Sequence, residues 1–309
     1  MRSHDIQFAD SLEGALKQYH NTIRPLPGIT QQSCILSLIE QVIDSRRRIE
    51  FVDKILSLTH SPNRADPLND LFDPLRAAVL HLRQEEIDEA CWLIFLSIHF
   101  GKHSRSGWRL VRDVYGKLGE DGPWTWERTS SDPSAFFNWM SQRYQALIGN
   151  GRGFGNHRKY ESLKPTANGT GSVVMSYVDW IRPYGSHTAL FAHAQDIVGA
   201  DPKAMFGYLY RTMPVQRFGR TAKFDYLTML GKMRITPIQP DLAYLTQATG
   251  PLRGARLLFG GATNSNILAT TLDAWLVELD SHLGLGMQVL EDSLCNWQKS
   301  PEIYIRFRG

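Results

Sequence analysis

Apolar positions recur at helical spacing along most of this chain. Between residues 35 and 56 an apolar side chain returns every three or four positions, which predicts one long helix or two abutting helices. A second stretch, residues 87–98, follows an acidic turn with the same spacing and predicts a buried helix. Alternating patterns typical of strands are scarce. The sequence therefore predicts an all-α fold.

Proline, aspartate and glycine interrupt this pattern in two regions. Residues 61–74 predict a linker, which divides the chain into an N-terminal helical layer with its linker (residues 1–75) and a main body (residues 76–309). Residues 119–175 carry three glycine-rich runs and predict a long irregular segment that lines a substrate site. A phosphate loop is a weaker interpretation of that segment, because no strand precedes the glycines and no Gly-Lys-Ser/Thr follows them.

Composition narrows the class of protein. With 309 residues, 42% of them hydrophobic, the chain can bury a sizeable core. Cys34, Cys91 and Cys295 are widely separated, which argues against a disulfide framework and against a zinc or four-cysteine iron–sulfur site. The longest apolar run, residues 91–100, is too short to span a bilayer, and the first ten residues lack a signal core. We expect a soluble, cytoplasmic protein with no metal held by side chains.

The net charge is only +3, but the basic residues are unevenly distributed. Between Leu209 and Arg256 there are eight basic residues and two acidic ones. A basic stripe on an otherwise near-neutral protein fits a one-sided DNA footprint. A solvated helix face is the alternative for any single one of these residues.

The most distinctive pattern lies between residues 240 and 284. Helical patterns on both sides flank the sequence Gly250-Pro251-Leu252-Arg253-Gly254, whose glycines and proline interrupt a continuous helix. This predicts two helices joined by a glycine hairpin over residues 240–260. Outward-facing backbone N–H groups of such a hairpin, with Arg253 and Arg256 beside them, suit a phosphate. Asp273 stands where a further helix is predicted, over residues 271–284.

This segment resembles the helix-hairpin-helix superfamily of DNA glycosylases, in which a Leu-Pro-Gly-x-Gly hairpin precedes a Val-Asp-Thr-His pattern. Residues 272–284 follow the second pattern in register, and residues 218–223 resemble the superfamily helix that precedes the hairpin. The hairpin glycines are more widely spaced here, and Glu278 and His282 replace two arginines. Bifunctional members carry a lysine nucleophile after the hairpin, but residues 250–260 contain no lysine.

The resemblance implies a fold, a catalytic residue and a ligand. The fold would be two helical lobes with a cleft between them, and Asp273 would be catalytic. The implied cofactor is a monovalent cation on hairpin carbonyls, and we expect no other. The candidates for contacts to DNA are Gly250, Leu252, Arg253, Gly254, Arg256, Arg220 and Lys223.

Three further segments are similar to a narrower family, labelled alpha-glutamyl/putrescinyl thymine pyrophosphorylase, clade 3. They are residues 100–103, 155–163 and 176–180. The family resembles enzymes of hypermodified phage DNA and includes an antiphage glycosylase that removes alpha-glucosylated hydroxymethylcytosine. The resemblance therefore implies double-stranded phage DNA with modified bases as the partner. We expect a monomer that does not bind membranes.

Excision of a base builds positive charge on the deoxyribose, so the reaction needs a nearby anion and a water molecule. Asp273 can serve both needs; a helix cap is the alternative role for it, and Asp225 is the next catalytic candidate. The candidates for contacts to the base and its sugar are His99, His103, Phe154, Asn156 and His157. For each histidine, a hydrogen-bonded core residue is the alternative.

These features predict a monofunctional DNA glycosylase that leaves an abasic site and acts in phage defence. One alternative is a transferase that displaces pyrophosphate from an activated hydroxymethyl base. Arg152, Arg158 and Lys159 would be available to hold that pyrophosphate. A second alternative is a non-catalytic DNA-binding module that uses the hairpin alone.

Overall fold

The computed structural model describes residues 3–149 and 151–306, and within them it contains fourteen α-helices and no β-strand. The all-α prediction is confirmed. No helix in this part of the chain combines the length and the apolar character that crossing a bilayer requires.

The helices are distributed over the whole chain. In order they are α1 (Ile6–Thr22), α2 (Gln32–Ser57), α3 (Pro74–Leu82), α4 (Ile87–Phe100), α5 (Arg109–Tyr115), α6 (Trp126–Ser131), α7 (Pro133–Leu147), α8 (Thr170–Ile181), α9 (His187–Val198), α10 (Pro202–Thr212), α11 (Arg220–Lys232), α12 (Gly250–Gly260), α13 (Ala269–Leu283) and α14 (Met287–Trp297). The chain forms two compact units: unit 1 comprises residues 1–52 and 240–308, and unit 2 comprises residues 53–239.

Unit 1 joins the two ends of the sequence. Apolar side chains of α1 and α2 share one hydrophobic core with those of α12, α13 and α14. The sequence-based division instead places its boundary at residues 75 and 76. The observed grouping follows from the apolar faces of α1 and α2, which are covered by the C-terminal helices of unit 1.

Glu278, which replaces an arginine of the glycosylase pattern, ties α13 to the N-terminal part of unit 1. Its carboxylate accepts hydrogen bonds from Tyr19 Oη at 2.9 Å and from Arg24 Nη2 at 2.8 Å. The Arg24 guanidinium also lies over the Trp275 ring, 4.2 Å from its centroid. The hydrogen bond from Arg24 lowers the pKa of Glu278. Packing within unit 1 therefore accounts for Glu278 at this position.

Helix α4 forms the centre of unit 2. From Ala90 to Phe100, ten of its eleven side chains are buried, which confirms the buried helix predicted there. An aromatic cluster surrounds it: Phe95 stacks on Tyr177 with ring centroids 3.8 Å apart and on Phe218 at 5.0 Å. Full burial of one large apolar side chain stabilises a fold by about 1.5–3 kcal/mol, so this cluster is a major source of stability in unit 2.

Two stretches can be compared with the sequence-based expectation. Residues 35–56 form part of a single helix, α2, which is the first of the two alternatives predicted there. The predicted irregular segment, residues 119–175, contains α6 and α7, each with a capped start: Thr125 Oγ1 accepts from the amide of Arg128, and the Asp132 side chain accepts from that of Ala135. The longest stretch there without an α-helix is residues 148–169, in which residue 150 lies outside the described residues.

Candidate functional site

Asp273 is a buried carboxylate held by the backbone of a neighbouring turn in unit 1. It lies one turn inside α13, with 6% of its surface exposed. The amide of Leu245, at the start of the 3₁₀ turn Leu245–Gln247, donates to Asp273 Oδ2 at 3.0 Å. Tyr244, just before this turn, has a left-handed backbone (φ 53°, ψ 50°), which is uncommon for an aromatic residue. Asp273 therefore anchors a neighbouring turn and does not cap its own helix.

The predicted helix-hairpin-helix geometry at residues 240–260 is wrong in detail. Residues 240–249 contain only the short 3₁₀ turn, and Gly250–Gly260 is one continuous helix, α12. Pro251 interrupts nothing, because proline is compatible with the first turn of a helix.

The two glycines of the predicted hairpin allow α12 to pack closely on α14. A Cβ atom on Gly254 would lie 2.3 Å from the carbonyl oxygen of Leu294, and one on Gly250 would lie 2.6 Å from Cys295 Sγ. Gly254 is buried. The prediction that Gly254 contacts DNA is therefore corrected: it is a packing position between two helices.

The N-terminal end of α12 still has features that suit an anion. The side chain of the N-cap residue, Thr249, makes no capping hydrogen bond, so it does not offset the partial positive charge of the first turn. Arg253 is exposed in the first turn, whereas Leu252 and Arg256 are half-buried. Arg256 Nε lies 3.5 Å from the carbonyl oxygen of Ile267. Among the predicted DNA contacts of unit 1, Arg253 is thus the side chain best placed to meet a phosphate.

The implied monovalent cation does not fit residues 250–254. These residues lie in α12, where backbone carbonyls accept the hydrogen bonds of the helix itself. They therefore do not form the carbonyl cradle of a hairpin, and no step proposed below uses a cation.

In unit 2, the structure brings together two of the segments that resemble the narrower family. The amide of Gly155 donates to the carbonyl of Phe100 at 2.7 Å. A Cβ atom on Gly155 would lie 2.8 Å from the carbonyl carbon of Gly101, so a side chain is excluded here. Phe154 stacks on Phe100 with ring centroids 5.4 Å apart. Residues 153–158 are thus fixed against the C-terminal end of α4.

His99 is a hydrogen-bonded core residue, the alternative considered for it. Only 1% of its surface is exposed, and its Nε2 lies 3.0 Å from Thr170 Oγ1. The Thr170 hydroxyl donates to the carbonyl of Ser162, so His99 Nε2 is the donor to Thr170. Burial, with a smaller contribution from Arg158 and Arg217, lowers the pKa of His99 to about 3. His99 is therefore neutral at pH 7, and the structure gives it no surface for a substrate.

The other predicted pocket residues of this region are more accessible. His103 is half-buried, and its Nδ1 accepts from the amide of Ser106 at 3.1 Å. Phe154 is half-buried as well, while Asn156 and His157 are exposed on the turn Asn156–Arg158. All four remain candidates for contacts to a base or a sugar.

The sequence analysis considered Asp225 and Arg158 separately, but the structure pairs them in unit 2. Arg158 Nη2 donates to Asp225 Oδ2 at 3.0 Å, and Arg158 Nε donates to the carbonyl of Ile98 at 2.7 Å. The Asp225 side chain keeps 42% of its surface exposed. Burial raises the pKa of Asp225 even so, and the positive charge of Arg158 opposes this shift. The carboxyl is therefore surrounded by protein atoms and still accessible to solvent. We call its surroundings, which include Arg158, Lys232, Arg220 and His157, the Asp225 recess.

Two basic residues of α11 are less available than predicted. Arg220 has 5% of its surface exposed, and its guanidinium lies 4.8 Å from the centroid of the Phe224 ring. Lys223 is half-buried, its Nζ lies 3.4 Å from the carbonyl oxygen of Tyr210, and burial lowers its pKa. Part of the basic excess in the sequence is thus used inside unit 2.

Comparisons with known proteins complete the description of these residues. Searches of the curated proteins and of the solved structures find no match. A family model described as alpha-glutamyl/putrescinyl thymine pyrophosphorylase clade 3 matches residues 34–309, which include all the candidate residues described above. The chain therefore belongs to this family.

Proposed function

We propose that this protein is a DNA N-glycosylase that excises a modified pyrimidine from phage DNA and leaves an abasic site. The proposed base is alpha-glucosylated hydroxymethylcytosine, and the proposed role is phage defence by a cytoplasmic monomer. Membership in a family named for an enzyme of thymine modification supports an enzyme that acts on modified bases. One structural observation carries the glycosylase proposal: the carboxylate of Asp273, fixed by the Leu245 amide in unit 1.

The proposed reaction is hydrolysis of the N-glycosidic bond. The bond between C1′ and the base nitrogen breaks, and its electron pair leaves with the base. Positive charge develops on the deoxyribose, and the negative charge of Asp273 stabilises it. A water oxygen then bonds to C1′, and the water gives up one proton, which balances the charge of the departing base. Because the Leu245 amide orients the carboxylate beforehand, little reorganisation is needed during the reaction.

Before this step, the protein would bind the DNA and expose the target base. The start of α12, with the exposed Arg253, is the proposed phosphate contact in unit 1. The target nucleotide must leave the base stack, which costs a few kcal/mol and is offset by contacts to the extruded base. The cleft between two lobes implied by the glycosylase resemblance stays a prediction.

A second candidate is the transferase implied by the family name. The observation that favours it is a recess of about 570 Å³ in unit 2, which has five carboxylates among its eleven lining residues and is suited to an amine donor. Its acidic residues are Glu85, Glu86, Asp88, Glu89 and Glu127. Two of the three residues available to hold pyrophosphate are already paired, Arg152 with Asp113 and Arg158 with Asp225. Because these two arginines are already paired with carboxylates, they are less available to pyrophosphate, and this supports the glycosylase more than the transferase.

Product analysis separates the candidates. The protein is incubated with glucosylated phage DNA, and separately with DNA carrying a pyrophosphorylated hydroxymethyl pyrimidine and a diamine. Mass spectrometry then examines the small-molecule fraction and the digested DNA. A freed modified base supports the glycosylase. A base that stays in the DNA, gains the amine and releases pyrophosphate supports the transferase. DNA binding without either product would support the non-catalytic DNA-binding module. Unmodified DNA is the negative control.

A further inference from the structure

We propose that Asp225 reads the base itself: its carboxylate accepts a hydrogen bond from the exocyclic amine of a cytosine-type base in the Asp225 recess. Arg158 holds the carboxylate in position. This inference rests on the proposed action on modified DNA bases and adds a specificity-determining residue in unit 2.

The carboxylate has one engaged oxygen and one available oxygen. Oδ2 accepts from Arg158 Nη2 at 3.0 Å, whereas Oδ1 accepts no hydrogen bond from any residue of ranges 3–149 and 151–306. The side chain is 42% exposed, so a ligand can reach Oδ1. Because acceptors in a recess are stabilised when they meet a donor, Oδ1 suits an N–H group.

Arg158 is a rigid support for this carboxylate. Its side chain is 11% exposed, and its Nε is bound to the carbonyl of Ile98 at 2.7 Å, in the last turn of α4. The amide of Arg158 donates to the carbonyl of Gly155 at 2.8 Å, and Gly155 is fixed to Phe100 by a hydrogen bond of 2.7 Å. The backbone and the guanidinium of Arg158 are therefore both held, and Asp225 takes its orientation from that guanidinium.

The charges around Asp225 indicate what it binds. Arg158, Lys232, Arg220 and His157 all act on it electrostatically, and they come from α11 and from the turn Asn156–Arg158. Phosphate oxygens are repelled by a carboxylate and attracted by such basic neighbours. Phosphate contacts position a protein on DNA, whereas contacts to base edges specify a sequence. The basic neighbours can thus contact phosphates, whereas the carboxylate among them repels phosphate and suits the N–H edge of a base.

Cytosine is the pyrimidine whose edge fits an acceptor at this place. Its exocyclic N4 amine donates, and aspartate and glutamate accept from it, whereas thymine and uracil present the O4 acceptor at the same position. The available Oδ1 would therefore favour cytosine-type bases and repel the O4 of uracil-type bases.

The Asp225→Asn variant tests this directly. Arginine has no acceptor, so the amide oxygen of the substituted side chain must face Arg158 and its NH₂ group must take the place of Oδ1. The variant exchanges an acceptor for a donor without changing shape. Two duplexes are compared that differ only in the glucosylated base, hydroxymethylcytosine or hydroxymethyluracil, and Kd is measured on both.

We expect Asp225→Asn to lower the affinity for the cytosine duplex by roughly 10- to 100-fold and to improve the affinity for the uracil duplex. Asp225→Glu keeps the acceptor and should keep the cytosine preference. Asp179→Asn is the matched control, because it alters another Arg–Asp pair of unit 2, with Arg182 at 2.8 Å, on an exposed surface. It should change nothing.

An equal loss on both duplexes, or an unchanged preference, would overturn the base-reading role. If the parent protein releases neither base, the glycosylase proposal fails, but the ratio of the two Kd values still tests Asp225. Thermal unfolding of each variant separates a loss of folding from a change of specificity.

Discussion

The amide nitrogen of Leu245 lies 3.0 Å from Asp273 Oδ2 and 3.3 Å from Oδ1. The two residues are 28 positions apart in the sequence, so the bond fixes the turn before α12 to the side of α13. It also fixes the carboxylate in one orientation. A residue that replaces Asp273 must offer an oxygen to this amide if the local structure is to persist.

Asparagine meets that requirement, so Asp273→Asn should fold normally and bind DNA with nearly parental affinity. It lacks the negative charge, and we expect base release to fall by at least about 10²- to 10³-fold. Single-turnover release of the base and duplex affinity are the measurements.

Asp280→Asn is the control for that variant, because it is also a buried carboxylate on α13 whose oxygen accepts a backbone amide, that of Gly286 at 2.6 Å. It should retain base release. Comparable activity of the Asp273 variant would instead transfer the catalytic role to Asp225 or to another carboxylate.

Gly254→Ala should destabilise the fold rather than weaken DNA binding selectively. Its methyl group would lie 2.3 Å from the Leu294 carbonyl oxygen, and such overpacking costs about 1–3 kcal/mol of unfolding free energy. Gly14→Ala is the matched helical control, since nothing lies within 4 Å of its Cβ position. It should stabilise the protein by about 0.4–1 kcal/mol. Urea unfolding measures both, and equal stability of the two variants would contradict the packing role of Gly254.

Borohydride should trap no covalent complex between the protein and its substrate DNA. Residues 250–260 contain no lysine, so water and not an amine attacks the sugar carbon. Strand breaks should appear only after alkali or an abasic-site nuclease is added. A trapped adduct would show that a lysine from elsewhere reaches the sugar. Lys223, whose pKa burial lowers, and Lys159 would then be replaced by arginine in turn to identify it.

His99 should make the protein less stable in mild acid. Its pKa is about 3 in the folded protein against 6.5 for an unperturbed histidine, so between these values the unfolded chain binds the additional proton. The stability it contributes is complete above pH 6.5 and is lost as the pH falls towards 3. At pH 5.5 the unfolding free energy should be lower than at pH 7.5 by about 1 kcal/mol from this group.

The variant His99→Gln retains a donor for Thr170 and cannot take up a proton in this range. Its unfolding free energy should therefore change less than that of the parent between pH 7.5 and 5.5, by the amount attributed to His99. Parallel pH profiles of parent and variant would show that another group, such as the buried His187, causes the acid sensitivity.

The sequence predicted the helices well where one periodic pattern decides the structure. Helix α4 was evident because its apolar run follows an acidic first turn. The caps of α6 and α7 at Thr125 and Asp132 were readable signals that the glycine-rich surroundings obscured. The hairpin prediction failed for a different reason: Gly254 has no side chain because α14 packs against it, and a contact 40 residues away leaves no local trace.

The same distinction, between local patterns and contacts made by the fold, applies to the candidate residues. Asp273 could be proposed from its place in a motif, but its bond to Leu245 depends on the fold. The pairing of Arg158 with Asp225 joins residues 67 positions apart, and neither the residue types nor their spacing in the sequence predicts it. His99 could not be assigned to the core from its neighbours in the sequence, because its partner Thr170 is 71 positions away.

The discontinuous make-up of unit 1 has a consequence for synthesis on the ribosome. Its N-terminal helices are made first, but their apolar partners follow only after residues 53–239 have been translated. At 5–20 residues per second this interval lasts roughly 10–40 s. By the end of that time residues 53–239 of unit 2 are available for folding, whereas the apolar faces of α1 and α2 still lack their covering helices. The nascent chain therefore presents a hydrophobic surface to chaperones until its last helices emerge.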